Sequence, residues 1–383
     1  VSCGSVKSGE EVVAASRDSK VVVVYVTSWS EVMPDPQYMT HINYAFGHVN
    51  ESFNGVKIDN EERLRQIVDL RKQKPELKVL LSIGGWGSGR FSEMAANDEY
   101  RRAFAADCDR VVKEFALDGI DIDWEYPTSS MANISSSPDD TENFTLLMQD
   151  IRAAIGNEKE LTLATVASAR YIDFKAILPS VDFVNIMAYD MASAPKHHSA
   201  LYPSGHSGDI TSDGAVTAHL KAGVPPSKLV MGMPFYGRGG DGYPSFQDYN
   251  KVGNTDTQYT EKWDEVAQVP YLADKNDTLV FGFENPRSLA IKCQYILDKD
   301  LLGGMYWDYS GDNEQGDLRR TVAENLLGKP HKAKVLVLTE RGGQHGGFTD
   351  AGLRWLAAEG AKGNFSITCL LYTSPSPRDG LLS

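Results

Sequence analysis

From Lys20 to about Gly328 the chain repeats one pattern eight times: a short apolar run, then a segment with helical spacing. The runs are Val21–Thr27, His41–Phe46, Lys78–Ile83, Gly119–Glu125, Leu161–Ala167, Val181–Tyr189, Leu229–Tyr236 and Gly304–Asp308. Several are almost uninterruptedly apolar, and a strand with two apolar faces must be covered on both. The intervening segments supply that cover, and also the crossovers that parallel strands require. Helix starts are visible in them. Asn97 precedes Asp98 and Glu99, after which Phe104, Cys108, Val112 and Phe115 recur at helical spacing. Asn285 followed by Pro286 is an N-cap with proline in the first turn, ahead of Leu289, Cys293, Ile296 and Leu297. Eight such units over roughly 310 residues predict an α/β fold, a (β/α)8 barrel spanning 20–328. On periodicity alone an open, doubly wound sheet competes with it.

One interval breaks the alternation. After Tyr236 about fifty residues rich in Gly, Tyr, Asp and Asn pass before the helix at Asn285. They predict a small inserted subdomain at about 237–284, after the seventh strand, on the rim where loops shape a site. Residues 1–19 form an N-terminal extension, and Pro330-His331-Lys332 read as a linker over 329–333. Beyond it Lys334–Thr339 predicts a strand, Gly342–Gly347 a glycine-rich turn and Thr349–Gly360 a helix. This unit, at 334–368, resembles the opening of the trehalose-utilisation (ThuA-like) family, whose fold is an open, doubly wound sheet. A single unit cannot bury its own core, so it reads as truncated. From Cys369 the sequence Cys-Leu-Leu-Tyr-Thr-Ser-Pro-Ser-Pro-Arg-Asp resembles a translated sequencing-library adapter. A non-native, disordered tail is therefore expected at 369–383.

A formal net charge of -14 repels nucleic acid and anionic membranes and suits a neutral substrate. The chain has no apolar run of about 18 residues, so no transmembrane segment is expected. The four cysteines, Cys3, Cys108, Cys293 and Cys369, form no C-x-x-C pair. Cys108 and Cys293 lie on apolar helical stripes and are expected to be buried thiols. Val1-Ser2-Cys3-Gly4 resembles the end of a bacterial lipoprotein signal, where cysteine becomes the lipidated first residue; an arbitrary fragment boundary reads the same. The expected location is secreted, or a cell-surface or periplasmic lipoprotein. Sequons at Asn50, Asn133, Asn143, Asn276 and Asn364 carry little weight if the source is bacterial.

The most informative stretch is Leu117-Asp118-Gly119-Ile120-Asp121-Ile122-Asp123-Trp124-Glu125-Tyr126. Alternation along a strand puts Asp121, Asp123 and Glu125 on one face and Ile120, Ile122 and Trp124 on the other. Consecutive carboxylates on that face lie ~6–7 Å apart. Three acids on one side of a buried strand repel one another, so at least one holds a proton near neutral pH. Glu125 ends the strand, at the end of the barrel where barrel enzymes place their sites. A buried, protonated glutamic acid there can protonate a glycosidic oxygen. A two-carboxylate glycosidase needs a second acid across the substrate, whereas here the other acids lie behind the first. The nucleophile is then expected from the substrate.

These residues closely resemble the family 18 glycoside hydrolases, whose motif D-x-x-D-x-D-x-E is matched by Asp118, Asp121, Asp123 and Glu125. The resemblance implies a chitinase acting on chitin or N-acetylglucosamine oligosaccharides, without a cofactor, as a monomer. It implies substrate-assisted catalysis with retention: the acetamido oxygen attacks its own anomeric carbon, giving an oxazolinium. Glu125 is then acid and afterwards base, Asp123 orients the acetamide, Asp121 shares its proton, and Asp118 shapes the start of the strand. Ser82-Ile83-Gly84-Gly85-Trp86 matches the S-x-G-G signature, with Ser82 supporting the acids and Gly84 and Gly85 letting backbones approach closely. Met187-Ala188-Tyr189-Asp190 matches M-x-Y-D, with Tyr189 as the phenol donor to the acetamide and Asp190 a substrate contact. Tyr25 and Trp29 match first-strand positions, Phe46, Tyr236 and Arg238 further groove positions, and Trp307 the floor beneath the reacting sugar. Trp124, Trp86 and Trp307 lean toward chitin-type substrates. Two alternatives remain, an endo-β-N-acetylglucosaminidase acting on N-glycans and a chitin-binding lectin; a lectin of this type usually lacks the position of Glu125. The segment Phe281-Gly282-Phe283-Glu284-Asn285-Pro286-Arg287-Ser288 departs from a Tyr-Asp-Asp type segment common in the family, which leaves groove depth and endo or exo action open. His197, His198 and His206 cluster after strand six, but no carboxylate partners are evident in the sequence and no metal is expected.

Overall fold

A computed structural model describes residues 20–240, 242–252, 258–328, 333–340 and 365–372. Eight parallel strands close into a barrel: β1 Val21–Thr27, β2 His41–Val49, β3 Lys78–Gly84, β4 Gly119–Asp123, β5 Glu160–Val166, β6 Phe183–Met187, β7 Leu229–Pro234 and β8 Gly303–Trp307. Each pairs with the next, and β8 returns to β1 with Val21 opposite Gly303. Closure decides between the two architectures that the periodicity allowed. The strands alternate as a closed sheet requires. Val22, Val24, Ile42, Ile120 and Ile122 face outward into one core shared with the helices, whereas Asn43, Ser82, Asp121, Thr162 and Asn185 are buried polar residues. A smaller apolar cluster of Val23, Tyr25, Ala45, Phe183, Val230 and Met305 sits apart from that outer core.

The expected helix starts are capped as their sequences imply. Asn97 accepts from the backbone N–H groups of Glu99 and Tyr100 at the head of Asp98–Glu114. Asn285 and Ser288 form a reciprocal capping box ahead of Pro286–Asp298. Cys108 and Cys293 are free thiols buried on these two helices. The seventh run is shorter than its apolar pattern. It ends at Pro234, which lacks a donor for continued pairing, and Tyr236–Gly239 joins a different sheet. That sheet is antiparallel and five-stranded, in the order Gln247–Asp248, Tyr236–Gly239, Leu279–Gly282, Val269–Ala273, Thr260–Asp264. It packs on a cluster containing Tyr243, Leu272, Val280, Phe281 and Phe283. Where it rejoins the barrel, Glu284 and Lys292 form a fully buried ion pair, and the Ser199 hydroxyl donates to Glu284 at 2.6 Å.

The chain divides into two compact units after Leu327. In the second unit Ala333–Glu340 pairs in parallel with Phe365–Tyr372. This corrects the expectation of disorder for residues 369–372, because the strand runs through Cys369. The predicted turn and helix between these strands, residues 1–19 with Cys3, and residues 373–383 lie outside the described residues. Among the described residues no helix is long and apolar enough to cross a membrane.

The tightest junction joins the ends of β3 and β4. Gly84 adopts φ +130°, and a Cβ there would stand 2.0 Å from the Asp123 carbonyl oxygen. Gly85 N–H donates to that same oxygen at 2.8 Å. The two glycines thus allow the β3 backbone to clamp the backbone that carries Asp123. Gly84→Ala is expected to cost about 3 kcal/mol or more, through both the clash and the unfavourable φ. Urea denaturation of the variant checks this.

Candidate active site

Asp121 lies wholly inside the barrel and four side chains converge on it. Tyr25 and Ser82 donate hydroxyl hydrogens to Oδ2, each at 2.8 Å. Thr162 donates to Oδ1 at 2.6 Å, and Asn185 Nδ2 approaches the same oxygen at 3.4 Å. Strands β1, β3, β5 and β6 therefore all hold the middle of β4. Burial raises the Asp121 pKa, although these four hydrogen bonds oppose the rise. Both oxygens being occupied by these donors, Asp121 has no hydrogen bond to Asp123 among the described residues. A shared proton between the two would require Asp123 to turn. Asp118 lies at the start of β4, where it accepts from Val79 N–H at 2.7 Å and pairs with Arg71, away from the cavity.

Asp123 is the next inward residue toward the mouth. Its Oδ1 is buried with no hydrogen-bond partner among the described residues. Burial, then Glu125 and Asp121, push its carboxyl well above the usual range. Glu125 stands just past the last residue of β4 and lines the cavity. Burial drives its pKa up to about 7; its hydrogen bond with Tyr126 pulls the other way, and negative Asp190 adds to the rise. The two carboxyls titrate as a pair. At neutral pH this pair therefore retains protons that exposed carboxylates would have lost.

Asp190 is the counterweight. Burial opposes its ionisation, yet Arg238 and His198 outweigh burial and hold it well below the usual carboxylate range. Arg238 grips it with two hydrogen bonds, at 2.7 and 2.6 Å, the bidentate geometry that a guanidinium favours. His198 lies 3.4 Å from Asp190 and His197 3.2 Å from Asp264. The carboxylate partners that the sequence did not make evident are thus present for His197 and His198. Among the described residues no group of three or more His, Cys, Asp and Glu side chains is arranged to hold a metal.

Above these acids opens a cavity of about 680 Å³, lined among others by Tyr25, Phe46, Trp86, Met187, Tyr189, Asp190, Tyr236, Arg238 and Trp307. Trp307 packs against Tyr25 at 5.5 Å and nearly parallel to Phe46 at 5.6 Å, making a broad aromatic floor. Trp29 and Trp86 flank it and are 64% and 62% exposed, an unusual cost unless a ligand covers them. Among the described residues the Tyr189 hydroxyl bonds only to Met305 sulfur, at 3.7 Å, a weak bond that leaves it available. Burial and then Asp123 and Glu125 keep that phenol protonated. Ser82, Asp121 and Asp118 do not line this cavity. Trp124 does not belong to the groove either. It is 2% exposed and stacks on Phe91 at 5.3 Å, as the outward phase of β4 dictates.

Sequence reasoning missed Tyr126, Met131, Arg170, Tyr171 and Phe246, all of which line the cavity. Tyr126 was within reach, since it directly follows Glu125 at the strand exit. Tyr171 stacks on Tyr126 at 5.5 Å from a loop residue with φ +77°, and no periodic pattern places such a residue. Phe246 stacks on Tyr236 at 4.7 Å from the inserted sheet, whose pairing the sequence left unspecified.

The family described as Glycosyl hydrolases family 18 matches residues 21–312. Among curated relatives, chitinase A1 of Niallia circulans is 30% identical over 79% of this chain, which spans 58% of that protein's length. Chitotriosidase-1 of Mus musculus is 31% identical, covering 77% of this chain and 74% of its own. The solved structure of a glycoside hydrolase family 18 N-acetylglucosaminidase from Paenibacillus barengoltzii superposes with a TM-score of 0.74 at 32% identity. It covers 80% of this chain and all (100%) of that one.

The electrostatics make two predictions. A glutamate of ordinary pKa 4.5 that titrates near 7 when folded favours its neutral form. That preference contributes stability present in full below pH 4.5 and lost as the pH rises through about 7. Glu125→Gln stays neutral throughout, so it should gain on the wild type across this window by at most about 3 kcal/mol. Urea denaturation of both proteins at about pH 4 and about pH 8 reads the difference. Asp190→Asn removes the nearby negative charge and should lower the Glu125 pKa by roughly half to one unit. A pH titration of that variant's carboxyl resonances checks the shift.

Proposed function

The chain belongs to glycosyl hydrolase family 18, and on that premise we propose that it hydrolyses β-1,4-linked N-acetylglucosamine in chitin or its oligomers. The observation that carries this reading is Glu125, a carboxyl raised to about 7 and facing an aromatic-floored cavity. The names of its chitinase relatives support it.

Three carboxyls line the cavity: Asp123, Glu125 and Asp190. Asp190 is tied to Arg238, and Asp123 lies behind Glu125 at the end of β4, so neither is placed to attack the opposite face of a sugar. The substrate's own acetamido oxygen supplies the nucleophile, as in the family's substrate-assisted mechanism with retention. Glu125 gives its proton to the departing glycosidic oxygen while the acetamide closes on the anomeric carbon. The unpartnered Oδ1 of Asp123 accepts the acetamide N–H and stabilises the oxazolinium. The Tyr189 hydroxyl donates to the acetamide oxygen and so orients it. Glu125, now ionised, takes a proton from the water that opens the oxazolinium. Asp121 positions β4 rather than touching substrate, and Tyr25 and Ser82 act through it. Trp307, with Phe46, forms the surface on which the apolar face of the reacting sugar packs. Met187, Trp86, Asp190, Tyr236 and Arg238 line the remaining walls and contact neighbouring sugars. One chain supplies every one of these groups, so a monomer suffices. A polymer too large to enter a cell is met outside it, which accords with secretion.

Hydrolysis of a fluorogenic chitobiose substrate tests the assignment. Glu125→Gln should lower kcat by about 10²–10⁴-fold while leaving oligosaccharide binding near the wild-type value. For the wild type, kcat/KM should fall as the pH rises through about 7, because the acid must enter protonated. Equal turnover by the variant would remove Glu125 from the role. An inactive wild type that released N-glycans instead would move the substrate to the endo-β-N-acetylglucosaminidase class.

A further inference from the structure

A second cavity, of about 370 Å³, adjoins the first and shares Trp29, Phe46 and Trp86 with it. Its wall contains His48, Asp59 and Ser88, none of which takes part in the chemistry above. His48 lies near the end of β2, Asp59 just after the short strand Val56–Ile58 that pairs with it, and Ser88 on the tight turn leaving β3. The turn is held by Ser88 N–H donating to the Gly85 carbonyl at 3.0 Å, with Gly85 and Gly87 at φ +94° and +82°. Ser88 Oγ is 2.8 Å from His48 Nδ1, and His48 Nε2 is 2.9 Å from Asp59 Oδ2. The carboxylate fixes the tautomer with hydrogen on Nε2, which leaves the Nδ1 lone pair to accept the serine proton. Nucleophile, base and orienting carboxylate are thus in hydrogen-bonded series along the wall of a cavity, the arrangement that activates a serine. The ring nitrogens are used in the opposite sense from the familiar Ser-His-Asp triad, but such a triad is recognised by geometry and roles.

We propose that Ser88, His48 and Asp59 form a second hydrolytic centre, an acyl-ester hydrolase for small O-acyl groups carried on amino-sugar chains. The substrate class rests on the saccharide reading of the adjoining groove; the nucleophile does not. Ser88 Oγ attacks the ester carbonyl carbon as its proton passes to His48 Nδ1. The tetrahedral intermediate collapses, the C–O bond to the sugar breaks, and His48 returns the proton to the departing sugar hydroxyl. Water then attacks the acyl-serine, His48 again taking and returning one proton, and the carboxylic acid leaves. The Gly89 N–H, directly after the nucleophile, has no partner among the described residues and is available to the developing oxyanion. Shared Trp29, Phe46 and Trp86 would let a chain lying in the main groove present a substituent to this side cavity.

The test uses the full chain with a fluorophosphonate probe and with p-nitrophenyl acetate. Wild type should be labelled at Ser88, located by peptide mass analysis, and should release p-nitrophenol. Ser88→Ala should abolish the label and lower release by about 100-fold or more, with chitobiose hydrolysis and melting temperature unchanged. His48→Gln, as a second variant, should lower both while leaving the serine in place. Glu125→Gln should keep the label and lose chitobiose hydrolysis, which separates the two centres. No label at Ser88, or release unaffected by Ser88→Ala, would overturn the proposal and leave the trio a clasp between the β2 hairpin and the β3 turn. Labelling at Ser88 in a wild type that cleaves no chito-oligosaccharide would uphold the acyl hydrolase and overturn its amino-sugar substrate.

Discussion

Everything at the barrel mouth depends on placing three carboxyl groups at alternate positions along one buried strand and its exit. Asp121 and Asp123 share the inward phase of β4, whose pleat turns Ile120 and Ile122 outward, and Glu125 follows just past the strand's end and lines the cavity. Inside, repulsion and desolvation would favour neutral forms at every position. The barrel treats each one differently. Asp121 receives hydrogen bonds from three neighbouring hydroxyls and an amide, Asp123 keeps one buried oxygen unpartnered, and Glu125 meets the cavity. The carboxyl with both oxygens bonded thus sits in the middle of the barrel, and the two that line the cavity are the ones left to react.

The fixed charge beside these carboxyls matters as much as the strand itself. Arg238 comes from the first strand of the inserted sheet and Asp190 from the loop after β6, and their bidentate pair ties the insertion to the barrel rim. The pair keeps Asp190 ionised, and an ionised Asp190 helps keep Glu125 neutral. One ion pair thus joins the architecture of the insertion to the proton on the acid.

Much of this was legible in the sequence because it follows from period. Strand alternation placed the acids and the N-cap signals at Asn97 and Asn285 placed two helices, all local properties. The closed barrel was not separable from an open sheet by periodicity, since closure is a pairing of β1 with β8 across nearly the whole barrel sequence. Trp124 follows the alternation that set it opposite the acids, stacking outward on Phe91, so its ring cannot carry the lean toward chitin-type substrates. Arg170, Tyr171 and Phe246 come from a loop and from the insertion, where backbone conformation rather than period decides what faces the cavity. Asp264, the carboxylate partner of His197, is equally non-local, whereas Asp190 meets His198 from only eight residues away. The Ser88–His48–Asp59 series joins three segments that are separated in sequence and meet only when β2, its hairpin partner and β3 stand side by side.

The central claim is that the fold holds Glu125 neutral at a pH where a free glutamate is ionised. The most direct test is carbon-13 NMR titration of the side-chain carboxyls, with Glu125 assigned by its absence in Glu125→Gln. The account predicts a Glu125 midpoint near 7. A midpoint near the ordinary value of 4.5 would contradict it, because the acid would then already have lost its proton at neutral pH.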